Sequence, residues 1–293
     1  MWREIVKQCG RKPTRKRVHA LRVVTLRMQA EVEHELAELP CASHEAQAMV
    51  HFGKLAEKLR DALAPVRELD VWIGKLRSLR ESMSETGEYV PRSTHETVRQ
   101  IEKFENRLTK KRERAALKLS GEIEKRQEDL LSAADELEKA WGGQTHEVDG
   151  SQAAMLTRRF AEIVAHFPVF DEGNLHEFRK RIKKVRYLAE VYDADPSCER
   201  IAAQMRKAQS AVGEWHDWQI LARTAGKGKH VENTEAGELY RSLAAEAYEA
   251  AIAVCQSVKH RMADLESNGG IDDVRKPPLR SENAIGFPVR KLG

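Results

Sequence analysis

Apolar residues recur along the chain at the three- and four-residue spacing of amphipathic helices. No segment alternates with the period of two that a half-buried strand requires. The pattern predicts a short helix over 2–9 and, after Pro13, a long one over about 14–39 that Pro40 ends. Further helices are expected over 43–82, interrupted near Pro65, and over 92–140. Much of the latter, IEKFENRLTKKRERAALKLSGEIEKRQEDLLSAADELEKA, reads as a surface helix laced with i,i+4 charge pairs. WGGQTHEVDG (141–150) is a glycine-rich polar joint, and helical segments follow near 151–167, 174–193, 198–223 and 235–265. TAGKGKHVENTEAG (224–237) reads as an exposed loop. From Asn268 onward the apolar periodicity stops and Pro277 and Pro278 stand side by side, so a tail outside any packed core is expected. The expected fold class is all-α, with one helical half over 1–140, the joint over 141–150, a second half over 151–265 and the tail over 266–293.

Composition agrees with the pattern and excludes several alternatives. Gly (17) and Pro (9) are scarce, which argues against a turn-rich β or α/β chain. Aromatics make up only 6%, so the core is expected to be aliphatic. Cys9, Cys41, Cys198 and Cys255 form no CxxC pair, which speaks against a zinc or thioredoxin-like motif and for a reducing compartment. MWREIVKQCG lacks the apolar core of a signal peptide, and no apolar run approaches the roughly 18 residues of a membrane span. A soluble cytoplasmic chain without a membrane partner is the expectation. Lys plus Arg (50) and Asp plus Glu (46) nearly balance, so any functional charge must come from local segregation.

Comparison of the chain with itself finds that segregation. VHALRVVTLRMQAEV (18–32) lines up with LHEFRKRIKKVRYLAEV (175–191), placing His19 on His176, Leu21 on Phe178, Arg22 on Arg179 and Arg27 on Lys184. In the same order, LAPVRELDVWI (63–73) matches AVGEWHDWQIL (211–221), with Arg67 on His216 and Glu68 on Asp217. An internal duplication is expected. At about 100° per residue from His176, Arg186, Arg179 and Lys183 fall near 280°, 300° and 340°, with Lys180 and Lys184 near 40° and 80°. Phe178, Ile182, Val185, Leu188 and Tyr192 occupy the opposite face. Asn174 and Glu177 resemble a capping box at the start of this helix. In the first half RKPTRKR (11–17) precedes His19, and no acid occurs from Arg11 to Ala30.

Like charges at i,i+4 repel, and cations in a first helical turn oppose the macrodipole. Both features fit an anion supplied from outside, since helix N-termini and Lys/Arg forks host phosphate well. Neutralisation by acids of other helices is the alternative. His19 and His176 read as phosphate donors or helix-positioning groups. Neither has the second His or carboxylate four residues away that a helical metal site normally shows, so no metal or other cofactor is expected. Trp72, Trp215 and Trp218 are expected to pack the bundle ends. GxxxxGK[ST], GxGxxG, GxSxG and HExxH are all missing from the sequence, which gives nucleotide-loop and hydrolase chemistry no support.

With the two His-led basic segments in view, the chain resembles the CHAD family, the conserved-histidine α-helical domain. LHEFRKRIKKVRYLAE (175–190) followed by VGEWHDWQI (212–220) is close to the family pattern. VHALRVVTLRMQ (18–29) keeps His19, Leu21, Arg22, Val23 and Arg27 but has Leu26 and Gln29 where basic residues are preferred. APVRELDVW (64–72) has Ala64 for glycine and Glu68 for aspartate. The likeness covers about residues 1–265. It implies two four-helix bundles related by a pseudo-twofold axis around a central basic cleft or pore that binds inorganic polyphosphate without catalysis, in some members at polyphosphate granules. His19, Arg22 and Arg27 would form one wall, with Arg15 and Lys16 compensating for Leu26 and Gln29. His176, Arg179, Lys180, Lys183, Lys184 and Arg186 would form the other. The rivals are a nucleic-acid-backbone binder, disfavoured by the few aromatics on the stripe, and a phosphohydrolase holding metal through His19 and His176 with Glu68 or Asp217. Self-association is left open.

Overall fold

The computed structural model describes residues 1–37, 39–40, 43–84, 92–141, 151–192, 195–226 and 234–267. Those residues form eight helices and no strand: α1 (Trp2–Arg11), α2 (Arg15–Glu35), α3 (His44–Ser84), α4 (Arg92–Trp141), α5 (Ser151–Ala165), α6 (Leu175–Val191), α7 (Pro196–Gly226) and α8 (Glu235–Ser267). Most of the joint and the tail, where the sequence suggested unpacked chain, lie outside the described residues.

Each half of the helix order has its own core. Along α2, Val18, Leu21, Met28 and Val32 form an i,i+3/i+4 stripe that packs on Val6 and Cys9 of α1, Phe52, Leu59 and Leu63 of α3, and Ile123, Leu130 and Leu137 of α4. A second core is built from Leu156 and Phe160 of α5, Phe178, Ile182 and Val185 of α6, Met205, Val212 and Trp215 of α7, and Cys255 and Met262 of α8. A third cluster joins the halves, where Leu69 and Leu76 of α3 and Ile101 and Phe104 of α4 meet Trp218 and Leu221 of α7 and Tyr240 of α8. Each fully buried Leu, Ile or Phe in these cores contributes about 1.5–3 kcal/mol. Trp215 lies in the second core and Trp218 in the third cluster, against which Trp72 is partly buried.

Between the halves, α2 packs on α6, α3 on α7 and α4 on α8. The turn before α2 is fixed from two sides. Thr14 Oγ1 accepts from Arg17 N–H at 3.3 Å, and Arg112 donates to Pro13 O at 2.6 Å while pairing with the buried Asp70 at 2.9 Å. These bonds set the direction in which α2 leaves the turn and therefore where Arg15 and His19 project.

Two local expectations need correction. α3 is not interrupted at Pro65 but runs through it; proline removes one helix hydrogen bond, and the buried Leu63 and Val66 on either side of it hold the helix in the first core. Asn174 stands at the N-cap of α6 but makes no side-chain capping bond. Its carboxamide closes the preceding loop instead, accepting from Asp171 N–H at 3.1 Å and donating to Val169 O at 2.9 Å. Glu177 reaches forward to Lys180 and Arg181. The loop competes with the helix end for the same short polar side chain.

Candidate functional site

The packing of α2 on α6 brings the two His-led basic segments face to face. Arg22 of α2 and Arg179, Lys183 and Arg186 of α6 feel one another's charge across the contact. All four are half-buried, and burial is the leading cause that lowers the pKa of Arg22, Arg179 and Lys183. The Lys183 ammonium is pushed down to about 7 by burial and then by Arg22, Arg179, Arg60 and Arg186. Among the described residues Arg22, Arg179 and Lys183 belong to no ion pair. One buried guanidinium nitrogen of Arg22, Nη1, has no hydrogen-bond partner at all.

Tyr187 forms the floor between the helices. The Arg186 guanidinium lies 4.2 Å from its ring centroid and Lys183 Nζ 5.8 Å. Arg179 donates to Gln209 O at 3.4 Å and lies against Gly213 of α7, where a Cβ would stand 3.3 Å from its Nη2. Arg15 lies in the same way on Gly74 of α3, with a Cβ there 3.1 Å from Nη2. His19 lies among Arg67, Arg15, Arg22 and Arg186, and crowding by the protein leads those charges in lowering its pKa. His176 meets His216 edge-on at 4.8 Å between ring centroids. Burial, then His216, Lys180 and Arg179, lower its pKa. Glu190 pairs with Arg186 at 3.8 Å, and two further acids, Glu68 and Asp217, have raised pKa values, caused first by burial. Each is held partly in check by cations, Glu68 by Arg22 and Asp217 by Lys75 and Arg179.

The remaining sequence candidates stand apart. Lys184 pairs with Glu33 at 2.8 Å and Lys180 with Glu177 at 3.9 Å, both on the solvent side. Arg27 pairs with Glu190 at 3.1 Å, and Lys16 is exposed. Among the described residues, no group of three or more His, Cys, Asp or Glu side chains is placed to hold a metal ion, and no helix is long and apolar enough to cross a membrane. A groove of about 380 Å³ lies between α5 and α8 and contains none of these cations.

The sequence of residues 11–226 matches the CHAD domain family model. The chain belongs to the CHAD domain family. Comparison with curated proteins and with solved structures gives no match. The matched span holds α2 to α7, and so every residue of the cationic group; nearly all of α1, and α8 with it, lie outside.

The CHAD domain has cations at this site that the His-led motifs did not point to. Arg60 and Arg67 of α3 face Arg22 and lower its pKa further. Arg60 is aimed by Gln29, whose Oε1 accepts from it at 3.2 Å while Nε2 donates to Gly53 O at 3.4 Å. Gln29, which replaces a preferred basic residue, thus orients a guanidinium from the next helix. A signal for this existed in the sequence. Gly53, Arg60, Arg67 and Gly74 recur every seven residues, as do Arg15, Arg22 and Gln29, a spacing that keeps one seam between two packed helices.

Proposed function

We propose that this CHAD domain is a non-catalytic binder of inorganic polyphosphate. The polyanion lies in a basic cleft between two pseudo-twofold-related four-helix halves, held by Arg22, Arg60 and Arg67 from one side and Arg179, Lys183 and Arg186 from the other. The pairing of α2 with α6, α3 with α7 and α4 with α8 supports the duplication. The single observation that carries the reading is the half-buried group Arg22, Arg179 and Lys183 on two abutting helices, with no carboxylate paired to any of them. Such a group destabilises the chain unless an anion occupies it. Polyphosphate offers repeated oxygen acceptors and no bases, so arginine forks and a lysine point charge suffice for recognition. His19 and His176 stand at the rim as further donors, and a cytoplasmic location at polyphosphate granules follows from the same reading.

The test is retention of the purified protein on immobilised long-chain polyphosphate, eluted with a salt gradient. Binding is expected to fall steeply with salt, by counterion release. Duplex DNA at equal phosphate concentration should not displace the polymer. Failure to bind in moderate salt would overturn the reading, and efficient displacement by DNA would replace it with nucleic-acid-backbone binding.

A further inference from the structure

The inner cations are not equivalent. Arginine keeps its proton at any physiological pH, whereas lysine can release one when it is desolvated among like charges. Lys183 is the one amine in a group otherwise made of guanidinium ions. Arg179 and Arg186 flank it on α6 at i−4 and i+3, Arg22 approaches from α2 and Arg60 from α3. The aromatic face of Tyr187 lies 5.8 Å from its Nζ. α5 meets α6 through apolar residues such as Leu156 and Phe160. From α7, Asp217 acts on Arg179, while His216 acts on His176. Glu68 of α3 acts on Arg22, and Glu190 of α6 is already shared by Arg27, Arg186 and Arg206. The charges that act most strongly on Lys183 are therefore all positive.

We propose that anion binding at this site is coupled to uptake of a proton by Lys183, so that the protein loads its polyanion as the medium acidifies and releases it as the medium turns alkaline. The inference rests on the polyphosphate reading above. In the free protein Lys183 titrates at about 7, so above neutrality much of it is an uncharged amine. A phosphate chain lying across Arg22, Arg60, Arg179 and Arg186 reverses the local potential and restores the ammonium. The proton comes from solvent, and no covalent step is involved. His19 and His176, whose pKa values are lowered in the same surroundings, add to the uptake at more acidic pH, as do Glu68 and Asp217.

The test is calorimetric titration of the full chain with long-chain polyphosphate at constant ionic strength. It is run at pH 8 in HEPES and in Tris, whose ionisation enthalpies differ, and the affinity is measured again at pH 6. A long chain is needed because terminal phosphates themselves titrate near neutrality. The wild type is expected to take up close to one proton per bound site at pH 8 and to bind about tenfold more weakly there than at pH 6. Lys183→Arg, with its charge fixed, should bind at both pH values and lose most of the buffer-dependent heat at pH 8. Wild-type heats that agree between the two buffers at pH 8, with binding intact, would overturn the coupling and leave the polyphosphate reading standing. No binding at either pH would overturn that reading and the coupling together. The wild-type measurement decides the matter even if the variant fails to fold.

Discussion

The inner and outer faces of the α2–α6 contact carry the same kinds of residue under opposite circumstances. On the outer face Lys184 pairs with Glu33 and Lys180 with Glu177, while Arg27 reaches Glu190, a nearly buried acid that the inner Arg186 also shares. Exposed pairs of this kind contribute about 0–1 kcal/mol and are what an ordinary charged surface looks like. On the inner face Arg22, Arg179 and Lys183 are half-buried, mutually repelling and without a carboxylate partner. The acids Glu68 and Asp217 are near enough to moderate the group, yet no ion pair closes. Charge density alone therefore does not mark the site. The mark is charge that the protein leaves unneutralised where burial makes this expensive.

The sharpest way to break the comparison is to delete each face in turn. Changing Arg22, Arg179 and Lys183 together to Ala should weaken polyphosphate binding by about a hundredfold or more, given the strength of charged hydrogen bonds. Changing Arg27, Lys180 and Lys184 to Ala should cost no more than about threefold, through the long-range field alone. Binding isotherms at one fixed salt concentration decide it; equal losses would erase the distinction between the faces.

Without an anion the same inner group should be a burden on the fold. Lys183→Met is expected to raise the thermal midpoint of the ligand-free protein, as relief of strain at a binding site commonly does. The pH dependence has a definite sign. A lysine at about 7 in the folded chain and near 10.4 in the unfolded one is charged in both below pH 7, where the repulsion is felt in full. Above pH 7 the folded chain sheds the proton and wild-type stability recovers. The advantage of Lys183→Met should thus be greatest below pH 7 and shrink between pH 7 and 10. A constant advantage, or none, in a thermal-unfolding series would show that the inner charges do not repel as described. Adding polyphosphate at pH 6 should reverse the order and favour the wild type.

How much of this was readable in the sequence depends on the distance over which each feature is decided. The stripes Val18–Leu21–Met28–Val32 and Phe178–Ile182–Val185 are local, and they announced α2 and α6 with their apolar faces. The proline rule failed at Pro65 because packing on both sides of it outweighs one lost hydrogen bond. The basic face of α6 was legible as a face but not as two. Arg186, Arg179 and Lys183, near 280–340° on a helix of about 100° per residue, turn inward, while Lys180 and Lys184, near 40–80°, turn to solvent and meet Glu177 and Glu33. Angles on one helix cannot say where its neighbour's acids sit. Arg60 and Arg67 were harder still, since their role depends on the register of α3 against α2. The heptad of Gly53, Arg60, Arg67 and Gly74 recorded that register without saying what it met.

The far end of α2 inverts the comparison and gives the smallest effect. There Glu31 has its pKa raised to about 7, by burial first and by the neighbouring buried Glu35 second. Burial first, and then both acids, push the Tyr192 phenol up to about 12. Like charges again face each other near the α2–α6 contact, but negative ones, and their pH response must run the other way. A carboxyl at about 7 folded and near 4.5 unfolded is ionised in both states above pH 7, where its burial is felt in full, and the penalty fades as the pH falls toward 4.5. Glu31→Gln should therefore stabilise the chain modestly above pH 7 and not at all below about pH 4.5. Lys183→Met gains on the acid side of neutrality and Glu31→Gln on the alkaline side. Unfolding midpoints of the two variants against pH should cross on the alkaline side of neutrality, and parallel curves would mean that Lys183 of α6 and Glu31 of α2 do not respond in opposition.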